Sequence, residues 1–457
     1  MSYLLQNAHI INEGRNYYAD ILLKDGIIEK IEECGKILPE NNKIIDLEGK
    51  YVLPGLIDCH VHFRDPGLSY KGDIASESMA AVAGGVTSYF DMPNTKPAAI
   101  TNKILDEKYN LAKNKSFANY AFYLGATNNN IEELDKADYS KIPGIKVFLG
   151  ASTGDLLVDD DQALEDIFFK IPKLIAVHSE DQKIIEANTY QIKETHKNIN
   201  PNEVPFNVHP IIRSEEACYN SSLKAVELAK KHETRLHLLH ISTAKELELL
   251  SNHTPVDKKL ITAEVCIPHL WFTEEDFKIK KGLIKCNPSV KTKVDREKLR
   301  KALKNGIIDV VATDHAPHTI EEKNHPYFMC PSGMPSIQHM LLVLLELADK
   351  GYFDITDIPK FTSHNVAKGF HLKNRGFIKE GYCGDLVVID KIKKNQNNKE
   401  SQDQPSFTSY YKCGWHPFEG YDFSWKVLHT FVNSKLVYSN DKIVAEPNGE
   451  ALIFEKL

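Results

Sequence analysis

Residues 53–67 read LPGLIDCHVHFRDPG, and they decide the fold. Pro54-Gly55 is a turn signal. Leu56-Ile57 behind it is an apolar pair of the kind a fully buried parallel strand requires. His60 and His62 stand two apart, so on a strand both imidazoles point to one face. Arg64 and Asp65 follow, and the breaker pair Pro66-Gly67 ends the strand. Two histidines and a guanidinium at the carboxyl end of a buried strand point to a metal site beside an anion site. Taken alone, His60 and His62 also read as ordinary strand-end histidines, and Arg64 as a salt-bridge partner of Asp65 or Asp73. The rest of the chain has to decide.

Outward from this stretch, short β-branched apolar runs alternate with amphipathic helical stretches, the signature of parallel βαβ units. Ser76–Ala83 reads as a helix stopped by Gly84-Gly85. Further strands are expected at Val86–Met92, Asn119–Leu124, Gly144–Leu149, Leu174–Val177, Arg235–Leu239, Leu260–Cys266 and Asp309–Ala312. With the first, that makes eight, which predicts an α/β fold: a (β/α)8 TIM barrel of the metal-dependent hydrolase type over residues 54–377. Residues 1–53 read as a small antiparallel β unit with a hairpin at Asp25-Gly26. Residues 378–457 carry similar short strands, among them Asp385–Ile389 and Lys426–Val432. Neither half buries much core alone, so both termini are expected to build one small β-sandwich domain. The polar, charged run Lys391–Gln404 reads as a flexible loop.

Bulk properties narrow the function. The 457 residues carry 42% hydrophobic and 26% charged side chains, ordinary for a soluble globular protein. The net charge of −7 gives no electrostatic reason to expect nucleic acid as a partner. Mixed-charge stretches such as Glu246–Glu248 and Lys291–Arg300 read as solvated helix surface. The eight cysteines form no CxxC pair, so neither a zinc ribbon nor a redox pair is indicated, and buried thiols are the expectation. No signal peptide and no membrane-spanning segment is legible, so a reducing cytoplasm is the expected compartment and no membrane partner is expected.

In barrels of this type the chemistry sits at the carboxyl ends of the strands. The polar residues expected there are His60, His62, Asn94, Lys146, His178, His240 and Asp314. Any one of them alone could be a satisfied core or rim residue; the joint pattern argues for a site. Lys146 lies within GIKVFLG, where an uncompensated ammonium is expensive to bury. It is either paired with a carboxylate or carboxylated by CO2 into an anionic bridge between two divalent metals. Four histidines, one aspartate and one such bridge match the nitrogen and oxygen ligands that two zinc ions need. Two metals about 3.5–4 Å apart would lower the pKa of a bridging water and polarise a carbonyl. Asp314 could then take the water's proton and pass it to a leaving nitrogen.

This arrangement of HxH, Lys, His, His and Asp resembles the amidohydrolase superfamily. The stretches DCHVHFRDPG, DMPNT and ATDHAPH, with GIKVFLGASTG, HPIIRSEEACY and GWHPFEG, resemble dihydroorotases of the longer, multifunctional-complex type over essentially the whole chain. The resemblance implies reversible ring closure of N-carbamoyl-L-aspartate to L-dihydroorotate in pyrimidine synthesis. It implies two Zn2+ per subunit, one held by His60 and His62, the other by His178 and His240. Carboxylated Lys146 and a hydroxide would bridge them, with Asp314 as ligand and proton shuttle. The substrate α-carboxylate would meet Arg64, Asn94 and His318, and Asn287 and the backbone around Ser332-Gly333 would hold the ring's amide edges. A guanidinium fork suits a carboxylate, whereas His318 by itself reads equally as a plain loop histidine. Some members use a loop aspartate as the bridge, for which Asp155 and Asp159–Asp161 are at hand. A homodimer is the family habit. The alternatives are an allantoinase or a dihydropyrimidinase-like enzyme, and a non-catalytic assembly partner of a carbamoyltransferase.

Overall fold

Each strand that carries a candidate ligand is buried on both faces, as in an all-parallel sheet sheathed by helices. In the computed structural model of the chain, which describes residues 2–38, 41–150, 156–392 and 408–455, Leu56–Val61, Val86–Asp91 and Asn119–Phe122 form one parallel arc. Leu124–Gly125, Ile145–Phe148, Ile175–His178, Leu236–Leu238, Ile261–Cys266 and Val310–Ala312 form a second. Phe122 and Leu124 carry one strand from the first arc to the second. At the other seam Val61 bridges His315, and the His62 N–H donates to the His315 carbonyl at 2.7 Å. The result is a closed barrel of eight strands, in the order expected from the sequence.

Helices follow the strands with the capping the sequence offers. Ile74–Ala83 starts at a capping box formed by Asp73 and Ser76, and Thr292 with Asp295 does the same for Lys293–Lys304. The barrel interior is filled by Ile57, Cys59, Phe90, Tyr123 and Ala176, and the C-terminal segment closes its amino-terminal end. There Ala451 bridges Tyr120 and Phe454 bridges Leu372, and the Phe454 ring meets Phe90 edge-on at 5.6 Å.

Both termini share one sheet beside the barrel. Leu386–Lys391 lies antiparallel to Tyr51–Pro54 in the register Leu386↔Pro54 and Val388↔Val52. Trp425–Val432, Lys435–Ser439 and Lys442–Ile443 extend it on one side, and Tyr3–Asn12, Arg15–Lys24 and Ile27–Glu32 on the other. Asp25 and Gly26 both have positive φ, 50° and 87°, as the expected two-residue hairpin requires.

Three expectations need correction. The N-terminal unit is not purely antiparallel, because Lys43–Asp46 and Tyr51–Pro54 run parallel to Tyr3–Asn12. The chain crosses back over this strand after Ile27–Glu32 and so pairs with its other edge in the same direction. The mixed-charge stretches are not all solvated. Glu246 is buried and accepts from the Ser222 and Thr243 hydroxyls, and the Arg300 guanidinium is buried against the Leu270 carbonyl and the Tyr352 ring. The cysteines are all free, yet Cys34 is exposed and Cys383 and Cys413 are half-buried. Of the run expected as a loop, residues 393–404 lie outside the described residues. Among the described residues no helix is long and apolar enough to cross a membrane.

Candidate active site

Strand ends bring His60, His62 and Asp314 to one point. His60 Nε2 and His62 Nε2 lie 3.3 and 3.1 Å from the same Asp314 Oδ1. The other nitrogen of each ring is committed. His60 Nδ1 lies 2.5 Å from Glu264 Oε1, and His62 Nδ1 lies 2.7 Å from Asn94 Oδ1. Both oxygens are acceptors, so each Nδ1 carries the proton and each Nε2 presents a lone pair. Two lone pairs and a carboxylate oxygen therefore converge with no donor between them, an arrangement that fits a divalent cation. Burial pushes His62 down to about 4, which keeps its ring neutral, as a ligand must be. Burial would raise Asp314, but His60 and His62 hold it below the usual carboxylate value.

His178 and His240 form the neighbouring pair. His178 Nδ1 lies 2.8 Å from His240 Nε2, and the His60 and His240 ring centroids are 5.3 Å apart. His178 Nε2 is held at 3.0 Å by Glu180, which the Arg213 guanidinium grips at 2.5 Å. Burial lowers the pKa of both histidines. Lys146 stands in register with the strand of His178, with Lys146↔Ala176 and Phe148↔His178 as partners. Its side chain is buried and, among the described residues, makes no ion pair; Nζ lies 4.4 Å from the Phe148 ring centroid. Burial pulls it down to about 7, against the pull of Glu264 and Asp314. The expected alternative of a carboxylate partner for Lys146 is therefore absent among the described residues, and Asp155 lies outside them. Asp159–Asp161 stand exposed, with Asp160 capping the following helix and Asp161 paired with Lys224.

A second layer fixes these side chains, and its central member was not singled out from the sequence. Glu264 is fully buried. Its carboxylate takes His60 Nδ1, the His240 N–H at 3.1 Å and His237 Nε2 at 3.3 Å, so one group ties the two histidine pairs together. The available signal was the period-two row Thr262, Glu264, Cys266 in an otherwise apolar strand. Asp58 accepts from the Thr313 hydroxyl and N–H and from the His60 N–H, and burial raises it to about 7. His315 is held by Glu77 at 2.8 Å and accepts from the Ser336 N–H. Backbone strain collects at the site: Arg64, His240 and Asp314 have φ of 67°, 39° and 49°.

Beside the histidines lies a cationic recess. Arg64 is buried, and among the described residues no carboxylate pairs with it, neither Asp65 nor Asp73. Its Nε donates to the Pro317 carbonyl at 3.1 Å, and a terminal nitrogen lies 3.1 Å from His318 Nε2. His318 also meets the Ser332 carbonyl at 3.1 Å. Asn287 Oδ1 is buried without a hydrogen-bond partner. Gly333 is already engaged, its N–H with Lys285 O and its carbonyl with Lys323 Nζ, and its φ of 130° brings it so close to Ala316 that a Cβ would collide. Direct contacts join Arg64, His318 and Ser332, with the buried Lys71 and Lys323, which the sequence did not single out, behind them.

A model of the amidohydrolase family matches residues 51–437. The dihydroorotase of Pyrococcus horikoshii is 35% identical over 92% of this chain and 88% of its own length. An allantoinase of Bacillus velezensis is 29% identical over 96% of this chain and 94% of its own. The L-hydantoinase (dihydropyrimidinase) of Arthrobacter aurescens has the same fold, with a TM-score of 0.90 at 24% identity over 99% of both chains. With its paired histidines, strand lysine and aspartate at the mouth of such a barrel, the chain belongs to the amidohydrolase family, as a cyclic amide hydrolase.

Proposed function

We propose that the chain is a dihydroorotase that interconverts L-dihydroorotate and N-carbamoyl-L-aspartate. The observation that carries this reading is Arg64: a buried guanidinium with no carboxylate partner among the described residues, at the edge of the histidine cluster. An unpaired buried charge is costly, and a bound carboxylate would neutralise it. Dihydroorotate has that carboxylate; allantoin and dihydrouracil do not. Among close relatives, the Pyrococcus dihydroorotase supports the same choice.

His60, His62 and Asp314 would hold one divalent ion, His178 and His240 a second, and Lys146 would reach both as a carbamate. A neutral buried amine is the form that attacks CO2, and Lys146 is brought toward neutrality by burial. The N–C bond forms as one C=O π bond of CO2 opens onto its oxygen, one N–H proton leaves to solvent, and a carbamate anion takes the place of the amine. When bound, zinc ions supply Lewis acidity to the ring carbonyl and acidify water. The chain's own groups do the rest. Arg64, with His318 and Asn94 beside it, binds and orients the substrate carboxylate. Asn287 Oδ1 accepts from a ring N–H. Asp314, kept ionised by His60 and His62, takes the proton of the attacking water and delivers it to the ring nitrogen as the C–N bond breaks.

The test is turnover of L-dihydroorotate, allantoin and dihydrouracil by zinc-supplemented protein, beside elemental analysis. Dihydroorotate should be the preferred substrate by orders of magnitude, with about two zinc ions per chain. Preference for allantoin or dihydrouracil would replace this reading with a sibling activity; a chain without metal or turnover would point to the assembly-partner alternative.

A further inference from the structure

His318 has two donors and two acceptors around it, one of each at each nitrogen. At Nδ1 stand Lys71 Nζ, 3.0 Å away, and Glu322 Oε2, 3.1 Å away. At Nε2 stand an Arg64 terminal nitrogen and the Ser332 carbonyl, both at 3.1 Å. A neutral imidazole has one N–H and one lone pair, so it can satisfy only one member of each pair. Burial, with Arg64, Lys323 and Lys71 around it, keeps this imidazole neutral.

The surroundings break the tie. Glu322 has other donors: Tyr70 Oη and Lys71 Nζ reach Oε1 at 3.0 Å each, and the Thr319 N–H reaches Oε2 at 3.2 Å. The Ser332 carbonyl is different. Lys323 Nζ donates to the carbonyls on either side of it, Pro331 O at 2.8 Å and Gly333 O at 2.7 Å. Between these two, the Ser332 carbonyl meets His318 Nε2, its one donor among the described residues. A lone pair on Nε2 would face that oxygen; an N–H would bond it.

We propose that Lys71 is a positioning residue: by donating to Nδ1 it fixes His318 as an Nε2–H donor to the Ser332 carbonyl, so that no imidazole lone pair takes up the Arg64 hydrogens meant for the substrate carboxylate. Lys71 has only protons to give, so its contact with Nδ1 is a hydrogen bond only in the Nε2–H tautomer. The Arg64 nitrogen then faces an N–H rather than a lone pair, and its own hydrogens stay available for an anion. With the tautomer reversed, a lone pair would compete with the carboxylate for those hydrogens. This deepens the dihydroorotase reading and rests on it for the identity of the anion, but not for the tautomer.

Two measurements separate the two ideas. In protein labelled with 15N at its histidines, the His318 signals (identified by their loss in His318→Asn) should show Nε2–H in the free wild type, and Nδ1–H in Lys71→Met, where Glu322 becomes the remaining partner. In steady-state assays with L-dihydroorotate, Lys71→Met should raise KM roughly tenfold, the scale of one charge-assisted hydrogen bond, with kcat changed less than about twofold. Lys71→Arg, which keeps a donor, should restore most of the loss. An Nδ1–H signal in the wild type overturns the proposal whatever the substrate proves to be. So does an unchanged KM in Lys71→Met. Wild-type protein with the Nε2–H signal but no dihydroorotate turnover would leave the tautomer assignment standing and remove the substrate reading instead.

Discussion

Lys146 shows what a single residue can and cannot reveal. Its position in an apolar strand is legible from GIKVFLG, because a lysine there breaks the pattern and demands a chemical reason. The structure supplies half of that reason: a buried amine with an aromatic ring for company and its ordinary pKa lost to desolvation. Replacing it with alanine should cost about a hundred- to a thousandfold or more in kcat, the scale of losing a principal electrostatic group. Bound metal should be lost with it, and short carboxylic acids should restore part of both. Full activity in Lys146→Ala would show that another group bridges. Glu264 was less legible because nothing at the level of residue type separates a buried acid that orients histidines from a surface acid on an edge strand. Only the closure of the barrel places it beneath His60 and His240 at once. Lys71 is harder still, since its partners lie about 250 residues along the chain, in the loop after the last strand.

Among the elements, the eight barrel strands were readable because each is a short, largely apolar run, and tertiary context agrees with local pattern. The terminal strands were readable as strands but not in their pairing. Parallel addition of Lys43–Asp46 to Tyr3–Asn12 depends on a long return of the chain that no local signal announces. The C-terminal segment was not foreseen at all. Ala451–Glu455 is too short to register as an element, yet it buries Leu452 and Phe454 in the barrel floor. Phe454→Ala should therefore lower folding stability by about 3–5 kcal/mol, with the midpoint of urea unfolding as the measure. Metal content and kcat of the folded fraction should hardly change, because the floor and the mouth lie at opposite ends of the strands. An unchanged midpoint would show that the floor is sealed without this ring.

Across the whole molecule, the site is assembled from the ends of strands spread from Leu56 to Ala312. Bound ions would thus fasten distant parts of the chain to one another. At free metal about a hundredfold above Kd, each ion would add about 2.7 kcal/mol to the folded state. Stripping the protein with a chelator should lower its thermal midpoint by several degrees, and zinc should restore it. A midpoint indifferent to both would mean that the histidine cluster does not hold metal. The same spread explains why no single motif settles the chemistry: HxH marks one strand, and the meaning comes from what the other strands bring.

The sheet shared by the termini has a consequence for synthesis. Tyr51–Pro54 lies in its middle, with Leu386–Lys391 on one flank. A ribosome delivers the first of these strands long before the second, so the growing polypeptide carries a half-built, open-edged sheet while the entire barrel is being translated. Nascent chains arrested before Leu386 should accordingly be the species that chaperones hold and that aggregate on release, whereas chains stalled only a few tens of residues later should already resist protease.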